Sequence, residues 1–547
     1  MFLHSSLFLV VSVLPAALGS TGPAVNTTSG FYVGVHDTQN EVDAFLGLRF
    51  AEAPLARFTP TTPISKAPEV PQAAIAFGAD CPQLPAPLTS GGIPGGPPLR
   101  GSNRSEDCFF VNVWRPAGTS TKDRLPILVS IFGGGYFLGS GSEWNGTSLV
   151  RRSVATKKPM IFINFNYRTG VFGFIGSAQA PSLALNAGLQ DQRDALRWIQ
   201  NNAEAFGGNG SRITITGESA GGSSVHMHLL YPDSQRTFRA GLGSSGTSLV
   251  ENTPACAWHD RPGGAYNILG NITGCGIGPG SFKCLQDIPF DTFLPLALTT
   301  YSPPGGGLPW GPCKGPQGSF IDEYPAKKVI AGNFLNVPII TGTNRNEGNF
   351  LVGTTFIDIT PQPSIDEENS ILNGFIGGQA TNFKNVSQET LDKIIGLYAH
   401  PTDNLSNSSL SNRAAQFATD YLFLAPNRLF LEVASARKQD VWAYSFQQPL
   451  AGFPDFLGAF HTSDLYYLDV GFFPVPIGRL TSQLQDFYIA FTNDLTPGSD
   501  WPKYEETSRI AMRFLEGQVG LITDTVRRNQ TNFLNQIDVM EEFGRFG

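Results

Sequence analysis

The 547-residue chain predicts an α/β fold in which a large, mostly parallel central sheet is flanked by helices. Two observations carry this. Short β-branched runs alternate with amphipathic helix patterns through the first half, the pattern of strands joined by helical crossovers. A Gly-x-Ser-x-Gly segment then joins one such run directly to a helix-compatible stretch, as a sharp strand-to-helix turn requires.

The chain opens MFLHSSLFLVVSVLPAALGS, a largely apolar run over 7–14 followed by small residues at Ala17 and Gly19. This reads as a secretory signal cut after Gly19, too short to span a bilayer. Residues 20–547 are expected to form one domain. The motifs below run from residue 81 to residue 504 with no linker-like break and no internal repeat. Candidate strands are 126–132, 160–164, 213–216, 337–341 and 441–446. Between the second and third, NAGLQDQRDALRWIQNNAEAFGG keeps Leu189, Leu196, Ile199, Ala203 and Phe206 on one helical face, and its Gly-Gly stops the helix. A further helix is expected near 480–492. The stretch 81–108 contains LPAPLTSGGIPGGPPLR and reads as a surface loop.

Composition narrows the function classes. A net charge of −8 argues against nucleic acid as a partner. No later apolar stretch approaches the ~20 residues of a spanning helix, so stable membrane insertion is not expected. Cys81, Cys108, Cys256, Cys275, Cys284 and Cys313 form an even set, suited to an oxidising compartment and open to fifteen pairings. None has zinc-site spacing, and neither a metal nor a cofactor is implied. Sequons at Asn26, Asn103, Asn145, Asn209, Asn271, Asn385, Asn404, Asn407 and Asn529 agree with a secreted, extracellular glycoprotein. The segment GLGSSG at 241–246 matches a dinucleotide pattern, but neither the helix nor the later acidic residue that pattern needs is evident.

The chemistry centres on Gly217-Glu218-Ser219-Ala220-Gly221, in the strand–turn–helix context of a nucleophile elbow. Glycines two positions either side of Ser219 let strand and helix pass closely while the hydroxyl stays exposed. A serine hydroxyl is a weak nucleophile and needs a base within hydrogen-bond reach. Seven histidines are available. The chain order nucleophile, acid, histidine removes His4 and His36, and His226 and His228 lie on the helix leaving the elbow. His259 and His400, the latter in a polar loop, rank behind His461, which sits in a loop between apolar segments near the chain's end. For the acid, Glu347 follows a strand, although Asp322, Glu323 and Asp358 compete on position alone. ILVSIFGGGYFLG ends a strand with Gly133, Gly134 and Gly135, and the amides of Gly134, Gly135 and Ala220 are the candidate oxyanion hole.

These segments resemble the type B carboxylesterase/lipase family, which includes cholinesterases and secreted fungal lipases. The matching stretches are SEDCFFVNVWRP, FGGGYFLG, NYRTGVFGFIG, NAGLQDQRDALRWIQNNAEAFGG, TGESAGG, GTNRNEG, GAFHTSDL and WPKY. The resemblance implies the α/β-hydrolase fold and a serine carboxylic ester hydrolase, with a triad of Ser219, Glu347 and His461 and an acyl-enzyme intermediate. It implies disulfides Cys81–Cys108 and Cys275–Cys284. Cys256 and Cys313 lack that support, and their pairing stays open. Tyr136 and Phe137, beside the glycines, are candidate pocket residues. The partner implied is a small-molecule or lipid ester. The family's lipases carry an amphipathic helical lid between the first two cysteines, whereas 81–108 here is Gly/Pro-rich. A triacylglycerol lipase is therefore the runner-up to a soluble-ester esterase, followed by a non-catalytic binding module.

Overall fold

The computed structural model describes residues 22–83, 103–249, 252–301, 310–352, 356, 363–399, 409–468 and 478–547. The expected signal, most of the 81–108 loop, His400, Asp358 and the sequons at Asn404 and Asn407 lie outside the described residues.

The strands in chain order are β1 (Ala24–Thr27), β2 (Gly30–Val33), β3 (Val35–Asp37), β4 (Val42–Arg49), β5 (Gln72–Ala73), β6 (Phe110–Pro116), β7 (Leu125–Ile131), β8 (Ile161–Phe165), β9 (Gly208–Glu218), β10 (Ala240–Ser244), β11 (Ile339–Asn344), β12 (Val441–Phe446), β13 (Ile510–Phe514) and β14 (Gly520–Thr523). β1, β2 and β5 make a small separate sheet. The other eleven form one sheet in the order β14-β13-β12-β11-β10-β9-β7-β8-β6-β4-β3. From β13 to β8 the pairing is parallel, and antiparallel strands close both edges. Parallel strands covered on both faces read as continuous apolar runs rather than alternation. LPILVSI in β7 and IFINF in β8, buried almost throughout, have that character.

The expected strand at 441–446 is β12, and those near 126–132 and 160–164 are β7 and β8, each displaced by one residue. β9 is longer than expected because the polar segment GNGSR leads into it. The expected helices run over Ala187–Asn202, where Gly207 at φ 81° ends the following turn, and over Arg479–Asp494.

The GLGSSG segment is the end of β10 and the turn after it. A Cβ at Gly241 would press on Val225, and one at Gly243 on His226, so these glycines let the helix Ala220–Leu230 lie close to the sheet.

The chain crosses from β7 to β8 and returns on the far side of β7 to build β9. In open α/β sheets, such a reversal leaves a crevice outside the carboxyl ends of the strands, where ligands bind. Register aligns those ends: Ile131 pairs with Gly217, Ser244 with Glu218, and Asn344 with Phe446.

Candidate active site

β9 ends at Glu218, and Ser219 turns sharply at φ 56°, ψ −124° before the helix Ala220–Leu230 begins. The Ser219 N–H donates to the Ser244 carbonyl at 2.9 Å, and the Ser219 carbonyl accepts from Ser223 N–H at 2.8 Å. A Cβ at Gly217 would collide with the backbone of Gly221, and one at Gly221 with the Ile131 carbonyl of β7. The elbow glycines are steric requirements of this turn.

Glu347 opens the short helix Glu347–Val352 just past β11 and is fully buried. The Asn344 N–H donates to Glu347 Oε1 at 2.7 Å. His461 sits in the loop that follows β12. Asn344 fastens that loop from the neighbouring strand, its Nδ2 donating to the Phe460 carbonyl at 2.7 Å. The structure brings the three expected residues together. His461 Nδ1 lies 2.7 Å from Glu347 Oε2, and His461 Nε2 lies 2.8 Å from Ser219 Oγ. A neutral imidazole protonated at Nδ1 would donate to the carboxylate and accept the serine proton at Nε2.

The chain after β7 takes three consecutive residues through the left-handed region: Gly134 (φ 94°), Gly135 (φ 60°) and Tyr136 (φ 64°). The Gly134 carbonyl accepts from the N–H groups of Phe137 and Leu138. Among the described residues, neither the Gly134 nor the Gly135 N–H has an acceptor in the protein. Ala220 is the first residue of its helix, where amides lack intrahelical partners. Gln83 fixes the far end of this loop. Its Oε1 accepts from Gly139 N–H at 2.8 Å, while its Nε2 donates to the Gly139 carbonyl at 3.0 Å and the Cys81 carbonyl at 3.2 Å.

The two candidate pocket residues part company. Tyr136 is 1% exposed, packs on Phe174 and receives a hydrogen bond from Ser224, so it supports the loop from the core instead of facing a pocket. Phe137 is half-buried against Tyr301.

Two acidic residues escaped the sequence reading. Glu218 is buried with its Oε1 lacking a hydrogen-bond partner, 3.6 Å from His461 Nε2. Asp464 is buried beside them, accepting from Asn344 and Tyr444. Burial pushes the Glu218 carboxyl well above its ordinary range, with Asp464 and Glu347 adding to the effect, and burial lifts Asp464 to about 6. Burial of His461 opposes the imidazolium, but Glu218, Glu347 and Asp464 outweigh it and raise its pKa above the ordinary value of 6.5. Glu218 could have been suspected as the residue beside the nucleophile. Asp464 lies three residues past His461, inside the matching segment GAFHTSDL, which was read for its histidine alone.

The other candidates lie elsewhere. His226, against Phe430, and His228, bonded to Gln192, are held to about 3 by burial, and His259, stacked on Trp310, to about 4. Asp322 accepts from Gln317, and Glu323 from the Tyr324 N–H. The cysteines pair as Cys81–Cys108, Cys256–Cys313 and Cys275–Cys284. Asn26, Asn103, Asn145, Asn271, Asn385 and Asn529 are exposed, and Asn209 is half-exposed. Among the described residues no helix is long and apolar enough to cross a membrane.

Comparison with known proteins gives the family. The model of the Carboxylesterase family matches residues 22–519. The chain is 28% identical to the secreted triacylglycerol lipase LIP1 of Gibberella zeae, across 93% of this chain and 89% of that protein. It is 29% identical to secreted lipase 1 of Botryotinia fuckeliana, across 95% and 94% respectively. The crystal structure of Aspergillus niger EstA superposes with a TM-score of 0.79 over 96% of this chain and 99% of that one, at 22% identity, a likeness of fold. With an eleven-stranded α/β-hydrolase sheet and a family match over nearly its whole length, the chain belongs to the carboxylesterase family and is a carboxylic ester hydrolase.

Proposed function

We propose that this hydrolase cleaves its esters through an acyl-enzyme on Ser219, with His461 as general base and acid and Glu347 as the carboxylate that orients it. The unbroken line of hydrogen bonds from Glu347 through His461 to Ser219 carries the reading. His461 Nε2 takes the Ser219 proton as Oγ attacks the ester carbonyl, and Glu347 steadies the imidazolium. The N–H groups of Gly134, Gly135 and Ala220 receive the oxyanion, and water then repeats the cycle to release the acid. No cofactor is needed for these steps.

Secretion into an oxidising compartment fits the leader-like start, the three disulfides and relatives named as secreted. Lipid esters fit the names of those relatives, and soluble esters fit the Gly/Pro-rich composition of the loop over 81–108. We assign soluble carboxylic esters as the preferred class.

A fluorophosphonate probe tests the catalytic reading. The wild-type protein should be labelled at one serine, and Ser219→Ala should resist labelling and lose at least ~10³-fold in kcat. Labelling that survives in Ser219→Ala moves the nucleophile elsewhere.

A further inference from the structure

The turn Thr419–Leu424 is π-helical, inserted between the helices Ser409–Ala418 and Ala425–Ala436. Pro426 gives a local reason. It has no N–H for an α-helical bond, and its ring crowds the carbonyl four residues back, so the helix widens ahead of it. Phe423 leaves this turn 3% exposed yet belongs to neither of the large hydrophobic clusters of the described residues. Its ring packs instead on the imidazole of His461, with centroids 4.7 Å apart and planes inclined at 38°.

The same turn reaches the acid. Thr419 Oγ1 accepts from the N–H of Gly348, the residue after Glu347, at 2.9 Å, while donating to the Ala415 carbonyl at 2.8 Å. Three anchors hold the turn itself. Asp420, fully buried, accepts from Arg527 and from the Tyr398 hydroxyl. The Tyr421 hydroxyl donates to Asn252. Arg545 lies over the Tyr421 ring and donates to the Tyr421 and Leu249 carbonyls.

We propose that this π-helical turn positions the general base. Phe423 holds the His461 imidazole in line between Ser219 and Glu347, and the face of its ring stabilises the imidazolium that forms when Ser219 is deprotonated. The inference rests on the triad assigned above. A cation within ~6 Å of an aromatic centroid is attracted to the ring's negative face, most strongly where water is excluded. The charged or titratable groups facing His461 from the packed elements are Glu218, Glu347 and Asp464, and Phe350 lies beyond at a ring distance of 6.5 Å. Phe423 is argued to act through its contact with His461, which makes it a positioning residue.

Phe423→Met removes the aromatic face while keeping an apolar side chain of similar bulk, and Phe423→Tyr keeps the face. The expected result for Phe423→Met is a fall in kcat of about tenfold with KM within about twofold, and an acid limb of kcat/KM moved to lower pH. Phe423→Tyr should stay within about twofold of the parent in kcat, with the acid limb unmoved. A Phe423→Met protein with the parent's kcat and pH profile overturns the proposal. So does an equal loss in both variants, which would reduce Phe423 to a packing residue. His461→Ala separates the two readings: if it keeps turnover, the triad falls and this inference with it. An inactive His461→Ala beside an unchanged Phe423→Met removes the π-helical device alone.

Discussion

At the site, single atoms set the constraints. In the proposed mechanism His461 must be neutral to accept from Ser219, and the carboxyl groups of Glu218, Glu347 and Asp464 favour its charged form against the penalty of burial. A raised pKa keeps the imidazole protonated to higher pH, so kcat/KM should fall as pH drops through an apparent pKa above 6.5, and be greater at pH 8 than at pH 6. A profile measured under kcat/KM conditions checks this, and a flat response over that interval contradicts it. The elbow is equally exacting. A Cβ at residue 221 would meet the Ile131 carbonyl, main chain of a central strand that cannot swing aside. Gly221→Ala is therefore expected to destabilise the fold by ~1–3 kcal/mol and to lower turnover per folded molecule more than ~10-fold. Thermal unfolding alongside activity separates the two effects.

Between elements, the proposed triad is assembled from the carboxyl ends of β9, β11 and the segment after β12, with the glycine loop after β7 beside it. Much of this was legible because each piece has its own local signal: apolar runs for the buried strands, glycine spacing for the elbow, glycines after β7 for the loop. β10 was not legible, since AGLGS has almost no side chains to show a period. Its glycines answer to the helix that packs on it, a demand the strand's own sequence does not display. Phe423 and Asp464 were hidden for a related reason, because their meaning lies in what the tertiary fold places against them. Gln83 belongs to this class. It joins the segment at the Cys81–Cys108 disulfide to the loop of Gly134 and Gly135 through both polar groups of Gly139. Gln83→Ala leaves a buried N–H and C=O unpaired, and the loop should loosen at a penalty of ~1–3 kcal/mol per group. Expected is a roughly tenfold loss in kcat with little change in KM, matched by an equal loss in affinity for a trifluoromethyl ketone that mimics the tetrahedral adduct. A change confined to KM would place Gln83 at the substrate mouth instead.

The molecule as a whole is governed by how a deep, buried base meets an ester arriving from water. His461 and Glu347 are 5% and 0% exposed, and the aromatic rings of Phe350 and Phe423 flank the imidazole. Such burial shields the imidazole from bulk water. What decides between an esterase and a lipase is a different property, whether an oil–water interface switches the enzyme on. An interfacial switch needs an apolar surface covered in water and bared at the interface, commonly an amphipathic helix. The Gly/Pro-rich run within 81–108 has no such helical period. The p-nitrophenyl esters from acetate to palmitate should therefore give rates that follow monomer concentration and saturate, with no upward break where the substrate passes its solubility limit. Adding an emulsified triglyceride should compete with the soluble ester without stimulating turnover. A sharp rise in rate at the solubility limit would assign the chain to interfacial lipases, and the triad geometry would stand unchanged beneath that revised substrate class.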